Sequence, residues 1–91
     1  MARPTEEVLY EDDKLRVVRP ASTHEPETLV IEALGPRASL LDLDAAQLGE
    51  LLVVVQRYAR EICQRSGGCR ITTDVVGGNS RLRWHLRARP G

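Results

Sequence analysis

Residues 81–89 read RLRWHLRAR, and the fold turns on how that row is read. Successive side chains of an extended strand point to opposite faces, so Arg81, Arg83, His85, Arg87 and Arg89 share one face while Leu82, Trp84, Leu86 and Ala88 share the other. One face is cationic and its reverse is apolar. A strand of this kind belongs to an antiparallel sheet packed against a core on one side and open on the other.

Upstream, GGNS at 77–80 supplies a turn, and CRITTDVV at 69–76 alternates Cys69, Ile71, Thr73 and Val75 with Arg70, Thr72, Asp74 and Val76. This reads as a second strand, so the chain closes in a hairpin. Before it, DAAQLGELLVVVQRYAREICQRSGG places Leu48, Leu51, Leu52, Val55, Ala59, Ile62 and Cys63 at spacings of three and four, the apolar stripe of an amphipathic helix over 44–66. Asp44 with Gln47 three residues on resembles a capping box, and Gly67 with Gly68 provides the stop. The stripe predicts a buried Cys63, acting as a small core hydrophobe.

The first half reads as three strands. VLYEDDKLRVVRP gives a hairpin of 8–11 and 14–19 turning near Asp12 and Asp13 and stopped by Pro20, and TLVIEAL gives a third strand at 28–34, ended by Gly35 and Pro36. The fold class is therefore α+β: an antiparallel sheet of about five strands with one main helix packed on one face. Leu82, Trp84 and Leu86 are expected beneath the helix, with the Arg and His row facing away from it. Ninety-one residues make a single domain, 1–91, with 1–7 expected to be a flexible lead. With one Trp, two Tyr and no Phe, the core has to be aliphatic.

Net charge is zero but unevenly laid out. Residues 1–50 hold eleven acids and five bases, and 51–91 hold two acids and eight bases, so the halves carry about −6 and +6. This asymmetry fits either an anion site near the C-terminal end or two halves that complement each other in one fold. No run approaches the roughly 20 apolar residues of a membrane helix, and MARPTEEVLYEDD lacks the apolar region of a signal peptide, so a cytoplasmic location with no membrane partner is expected. Cys63 and Cys69 form no C-x-x-C pair, the sequence offers no metal-ligand set beyond Asp74 and His85, and nothing in it calls for a cofactor.

The order of these words resembles the histidine triad (HIT) family of nucleotide hydrolases and transferases. The resemblance runs from about Val8 to Arg89 through LYEDDKLRVV, ETLVIEA, ASLLDLDAAQLGELLVVVQRYARE, RITTDVVGGNS and RLRWHLRA. Family members end in a GGQS turn followed by three alternating histidines, of which the central one attacks the α-phosphorus while its neighbours position phosphate oxygens and the leaving group. Laid against that pattern without a gap, Arg83 stands at the first His, His85 at the central one and Arg87 at the third. Asn79 replaces the Gln, Ser80 matches the Ser, Asp74 takes the usual Asn position and Glu27 replaces the His of the third strand. An alternative alignment, closing a two-residue gap after Ser80, would put Arg83 at the nucleophile.

The resemblance implies a nucleotide or other phosphorylated small molecule as ligand, with His85 and Ser80 as catalytic candidates and Arg83, Arg87, Asn79 and Asp74 around the phosphate. Guanidinium groups can hold a phosphate bidentately, but they cannot act as a general acid or base near neutral pH. Any activity would be nucleotide hydrolysis or transfer through His85, residual at most. The other class of reading is a non-catalytic module that presents the 81–89 strand to an acidic protein or nucleic acid. Nucleic acid is disfavoured because the basic face carries no aromatic side chain for stacking. The resemblance also implies a homodimer, which would help so small a core. Like charges in one row need an anion or an acidic neighbour, and Asp74 is the expected internal partner.

Overall fold

A computed structural model describes residues 6–20, 27–35, 39–73 and 81–90. The helix, α1 (Ala45–Ser66), is bounded as its sequence dictates. The Asp44 carboxylate accepts the Gln47 N–H at 2.8 Å, and the Gln47 side-chain oxygen accepts the Asp44 N–H at 3.0 Å, so the capping box is complete. At the other end Gly67 has φ 93°, a left-handed conformation that a residue with a β-carbon adopts only with strain, and its N–H donates to the Cys63 carbonyl.

Five strands form one antiparallel sheet: β1 (Glu6–Glu11), β2 (Leu15–Pro20), β3 (Thr28–Ala33), β4 (Gly67–Thr73) and β5 (Arg83–Pro90). Their order is β1-β2-β3-β5-β4, so the final strand is inserted between β3 and β4 and lies inside the sheet. Helix α1 packs on β4 and β5. Most boundaries shift by one or two residues from expectation, and two of the shifts have a visible cause. β1 starts at Glu6, where pairing with β2 already extends to Glu6 opposite Pro20 and a Glu7–Arg19 ion pair at 3.1 Å holds the end of the ribbon. β4 begins directly at Gly67, because the helix-ending glycine turns the chain straight into the sheet.

The turn between β1 and β2 is built by Asp12. Its carboxylate accepts the N–H groups of Lys14 (2.7 Å) and Leu15 (2.9 Å) and the Tyr10 hydroxyl (2.7 Å). The Tyr10 hydrogen bond and then that of Lys14 hold its carboxyl below the usual Asp value.

The inner face of the sheet supplies Leu15 and Val17 from β2, Leu29, Ile31 and Ala33 from β3, and Leu82, Trp84 and Leu86 at and before β5. All are buried against Leu51, Val55 and Ile62 of α1. Each large aliphatic side chain removed from water in this way contributes about 1.5–3 kcal/mol. Trp84 serves as a core anchor, as its parity requires.

The helix stripe is narrower than its spacing predicts. Cys63 is exposed rather than buried, and Leu52 is 42% exposed. The reason is topological: β4 is an edge strand, so the side of α1 that reaches past it has no further strand beneath. Ile71 on β4 is itself 46% exposed. Both cysteines are free, and burial pushes the Cys69 thiol up. Among the described residues no helix is long and apolar enough to cross a membrane.

Candidate functional site

The sheet face turned away from α1 is organised around His85. Alternation along β5 puts Arg83, His85, Arg87 and Arg89 on this face, all exposed. Its central position gives His85 and Arg87 neighbours on both sides: Val30 and Thr72 flank His85, and Thr28 and Arg70 flank Arg87, while Glu32 lies opposite Arg83 and Gly68 opposite Arg89. This arrangement could not come from a terminal hairpin alone. It needs β5 to sit between two strands distant in sequence.

The two ends of the row are electrostatically different. At one end, Glu32 accepts Arg16 Nη2 at 2.8 Å and Arg83 Nε at 3.2 Å. Its side chain is 14% exposed, against 57% for Arg83. Burial by itself would raise the Glu32 carboxyl, but the hydrogen bonds from Arg16 and Arg83 outweigh it and leave the group below its ordinary value. Toward the other end, Arg70, Arg87 and Arg89 have no carboxylate within ion-pair distance among the described residues.

Two hollows meet at His85. The first encloses about 540 Å³ and is lined by Thr28, Arg70, Thr72, His85, Arg87 and Arg89. The second, about 360 Å³, lies over the Arg16–Glu32–Arg83 cluster beside Val18 and Val30. The imidazole is thus placed on the divide between a cationic hollow and a charge-compensated one. A phosphoryl group in the first would meet guanidinium groups able to bind it bidentately, with the imidazole at its side.

No protein-family model and no curated protein sequence matches the chain. Among solved structures, a Hit-like protein from Bartonella henselae, described as involved in cell-cycle regulation and solved with an unknown ligand, is similar with a TM-score of 0.73. The match covers 93% of this chain and 67% of that one at 18% sequence identity. This chain has a HIT-like fold. The five-stranded antiparallel sheet with a helix on one face is therefore the architecture that the sequence words imply.

Within this HIT-like sheet, three of the residues picked from sequence come together on the outer face: Arg83, His85 and Arg87. Asp74, Asn79 and Ser80 lie outside the described residues. The acid that compensates Arg83 is Glu32, which sequence reading passed over. Its signal is one acidic residue on the parity of Thr28 and Val30 in the otherwise apolar run TLVIEA. Arg70 and Thr72 were also missed as site residues, since their place depends on β4 pairing with β5 in a register that brings Arg70 opposite Arg87.

Glu27, aligned with a family histidine, has a structural role instead. It accepts Arg65 Nε at 3.0 Å and Nη2 at 2.6 Å, and Arg19 Nη2 at 3.4 Å, tying the last turn of α1 to β2. The hydrogen bond from Arg65, then the charges of Arg65 and Arg19, hold its carboxyl low against the opposing effect of burial. Among the described residues no group of three His, Cys, Asp or Glu side chains could hold a metal ion.

Proposed function

We propose that this HIT-like protein binds a nucleotide or another small phosphorylated ligand on the outer face of its sheet, with a phosphoryl group set between His85 and Arg87. The observation that carries this reading is the hollow in which His85 shares its walls with Arg70, Arg87 and Arg89, while Glu32 on the same face is committed to Arg16 and Arg83. Positive charge is concentrated beside the imidazole and left without a counter-charge among the described residues.

Arg83 and Arg87 flank His85 where the family pattern has histidines. An imidazole is a fit nucleophile for a phosphoramidate, but the two guanidinium neighbours cannot relay protons near neutral pH. Binding is therefore the primary activity, and nucleotidyl hydrolysis or transfer through His85 is residual or absent.

The test is a backbone amide titration by NMR with a mixture of nucleoside monophosphates. Saturable shifts confined to residues 83–87 and their neighbours at Thr28, Val30, Arg70 and Thr72 support the reading, and silence at millimolar ligand rejects it. If shifts appear instead only with an acidic protein, the face is a docking surface for a macromolecule. Turnover is assayed beside His85→Ala, which removes any genuine activity by at least a hundredfold.

A homodimer through α1 and the β4 edge is part of the same proposal. Leu52, Val53 (64% exposed) and Ile71 are the large apolar side chains left uncovered where the helix reaches past the edge strand β4. Sedimentation at micromolar concentration should give twice the chain mass, and Ile71→Asp should return it to one.

A further inference from the structure

We propose that the hollow between the β1–β2 turn, the end of β3 and the first turns of α1 docks a basic peptide segment of another protein. The segment inserts one large apolar side chain and sets its own cations against the surrounding carboxylates. The hollow encloses about 270 Å³ on the helix side of the sheet, the face opposite His85. Its floor is Ala33, Leu34, Leu43 and Leu51, of which Ala33 and Leu51 belong to the core. Its rim is Asp13, Lys14, Gln47 and Glu50. An apolar floor inside a polar rim is how protein interfaces seat an anchor side chain. Leu41, two residues before Leu43, adds a further apolar side chain that is 70% exposed.

Charge selects the partner. Asp13 and Glu50 line the hollow, Asp12 precedes Asp13, and Asp42 and Asp44 flank Leu43, so five carboxylates gather around one apolar floor. Two cations stand among them, and both are engaged. Lys14 Nζ lies 3.1 Å from Glu50 Oε2, and Arg81 Nη1 donates to the carbonyls of Ala33 (3.4 Å) and Gly35 (3.3 Å). Asp12 is used up in its turn and Asp44 in capping α1, whereas Asp13 and Asp42 have no ion-pair partner among the described residues. Part of the acidic excess of residues 1–50 is therefore held here, where it attracts a cationic chain.

The walls are set before any partner arrives. Asp12 fixes the turn, the Leu34 N–H donates to the Lys14 carbonyl at 2.8 Å and ties that turn to the end of β3, and the capping box fixes the start of α1. Docking into such a site orders little of the protein. A small organic cation is a poorer occupant, because the hollow falls short of the roughly 300–1,000 Å³ of small-molecule sites and one cation cannot answer carboxylates on separate segments. A second copy of this chain offers the basic strand β5, but Leu86 and Trp84 of that strand are buried, so it brings charge without an anchor.

The experiment titrates the 15N-labelled protein with a short synthetic peptide, capped at both ends, in which one leucine is flanked on each side by arginines. Amides of Lys14, Gly35, Leu43, Gln47 and Leu51 should shift and saturate with a Kd below about 1 mM, and binding should weaken as salt is raised. Replacing the leucine by serine should weaken binding about tenfold, and replacing the arginines by glutamates should abolish it. The double variant Asp13→Asn with Asp42→Asn should weaken binding about tenfold while the amides of β5 keep their native positions. Glu61→Gln, which removes a carboxylate from the second half of α1, should leave the affinity unchanged.

Equal affinity for the serine peptide or for arginine amide alone overturns the proposal, and so does full affinity in the double variant. Shifts that fall on β5 instead, or no shifts at millimolar peptide, also overturn it. Shifts of the same amides with protein concentration, in the absence of peptide, assign the hollow to a second copy and reject the foreign partner.

Discussion

The two ends of the outer face use the same side chain for different ends. Beside Glu32, Arg16 and Arg83 are structural: their guanidinium groups close a cluster that joins β2, β3 and β5. Past His85, Arg87 and Arg70 stand opposite each other with no acid paired to either among the described residues, and Arg89 follows. A row of alternating arginines is thus not one feature. What divides it is the residue across the ladder, an acid at one end and another arginine at the other.

Removing Glu32 should give the largest effect on this contrast. Glu32→Ala leaves two guanidinium groups facing each other on a part-buried surface and should cost about 1–3 kcal/mol in denaturant unfolding, most of it regained in the triple variant that also neutralises Arg16 and Arg83. The pH dependence follows from the direction of the Glu32 shift. A carboxyl held below its unfolded value of about 4.3 contributes stability that is present above that pH and is lost as pH falls through the folded value. Wild type should therefore lose stability below about pH 4.3 more steeply than Glu32→Gln, and parallel curves would show that the cluster contributes nothing.

Changes at the uncompensated end should leave stability alone and alter binding. Arg87→Ala should weaken nucleoside monophosphate binding about tenfold, equivalent to about 1.4 kcal/mol, with unfolding unchanged within about 0.5 kcal/mol. Equal losses of binding from Arg83→Ala would erase the distinction between the ends. The smallest effect expected is a gain. Arg70→Ala relieves the repulsion across β4 and β5 and should stabilise the free protein by about 0.2–1 kcal/mol at low salt, fading as salt is raised. Without such a gain, the opposed charges would not be in tension.

Much of the fold was legible because it is written in local terms. Asp44 and Gln47 lie three residues apart and need only each other to cap the helix, Gly67 ends it through its own backbone conformation, and the parity of Leu82, Trp84 and Leu86 decides which face of β5 is buried. What could not be read depends on which elements become neighbours. The exposure of Leu52 and Cys63 follows from β4 being an edge strand, and helical spacing carries no information about where a sheet ends. Likewise Glu32 meets Arg83 only because β5 returns beside β3, fifty-one residues later in sequence. Arg70 enters the site by the same closure, and Glu27 is taken out of it by Arg65 from the helix end.

The most direct measurement follows the guanidinium signals themselves. Arginine Nε–H resonances of the 15N-labelled protein, together with the His85 ring protons, are recorded as a nucleoside monophosphate is added. Arg87 and His85 should shift and saturate together while Arg83 stays fixed, and Arg83 should join them once Glu32 is replaced by Gln. An Arg83 signal that moves in step with Arg87 in the wild type, or signals that all stay still at millimolar ligand, would contradict this assignment of the face.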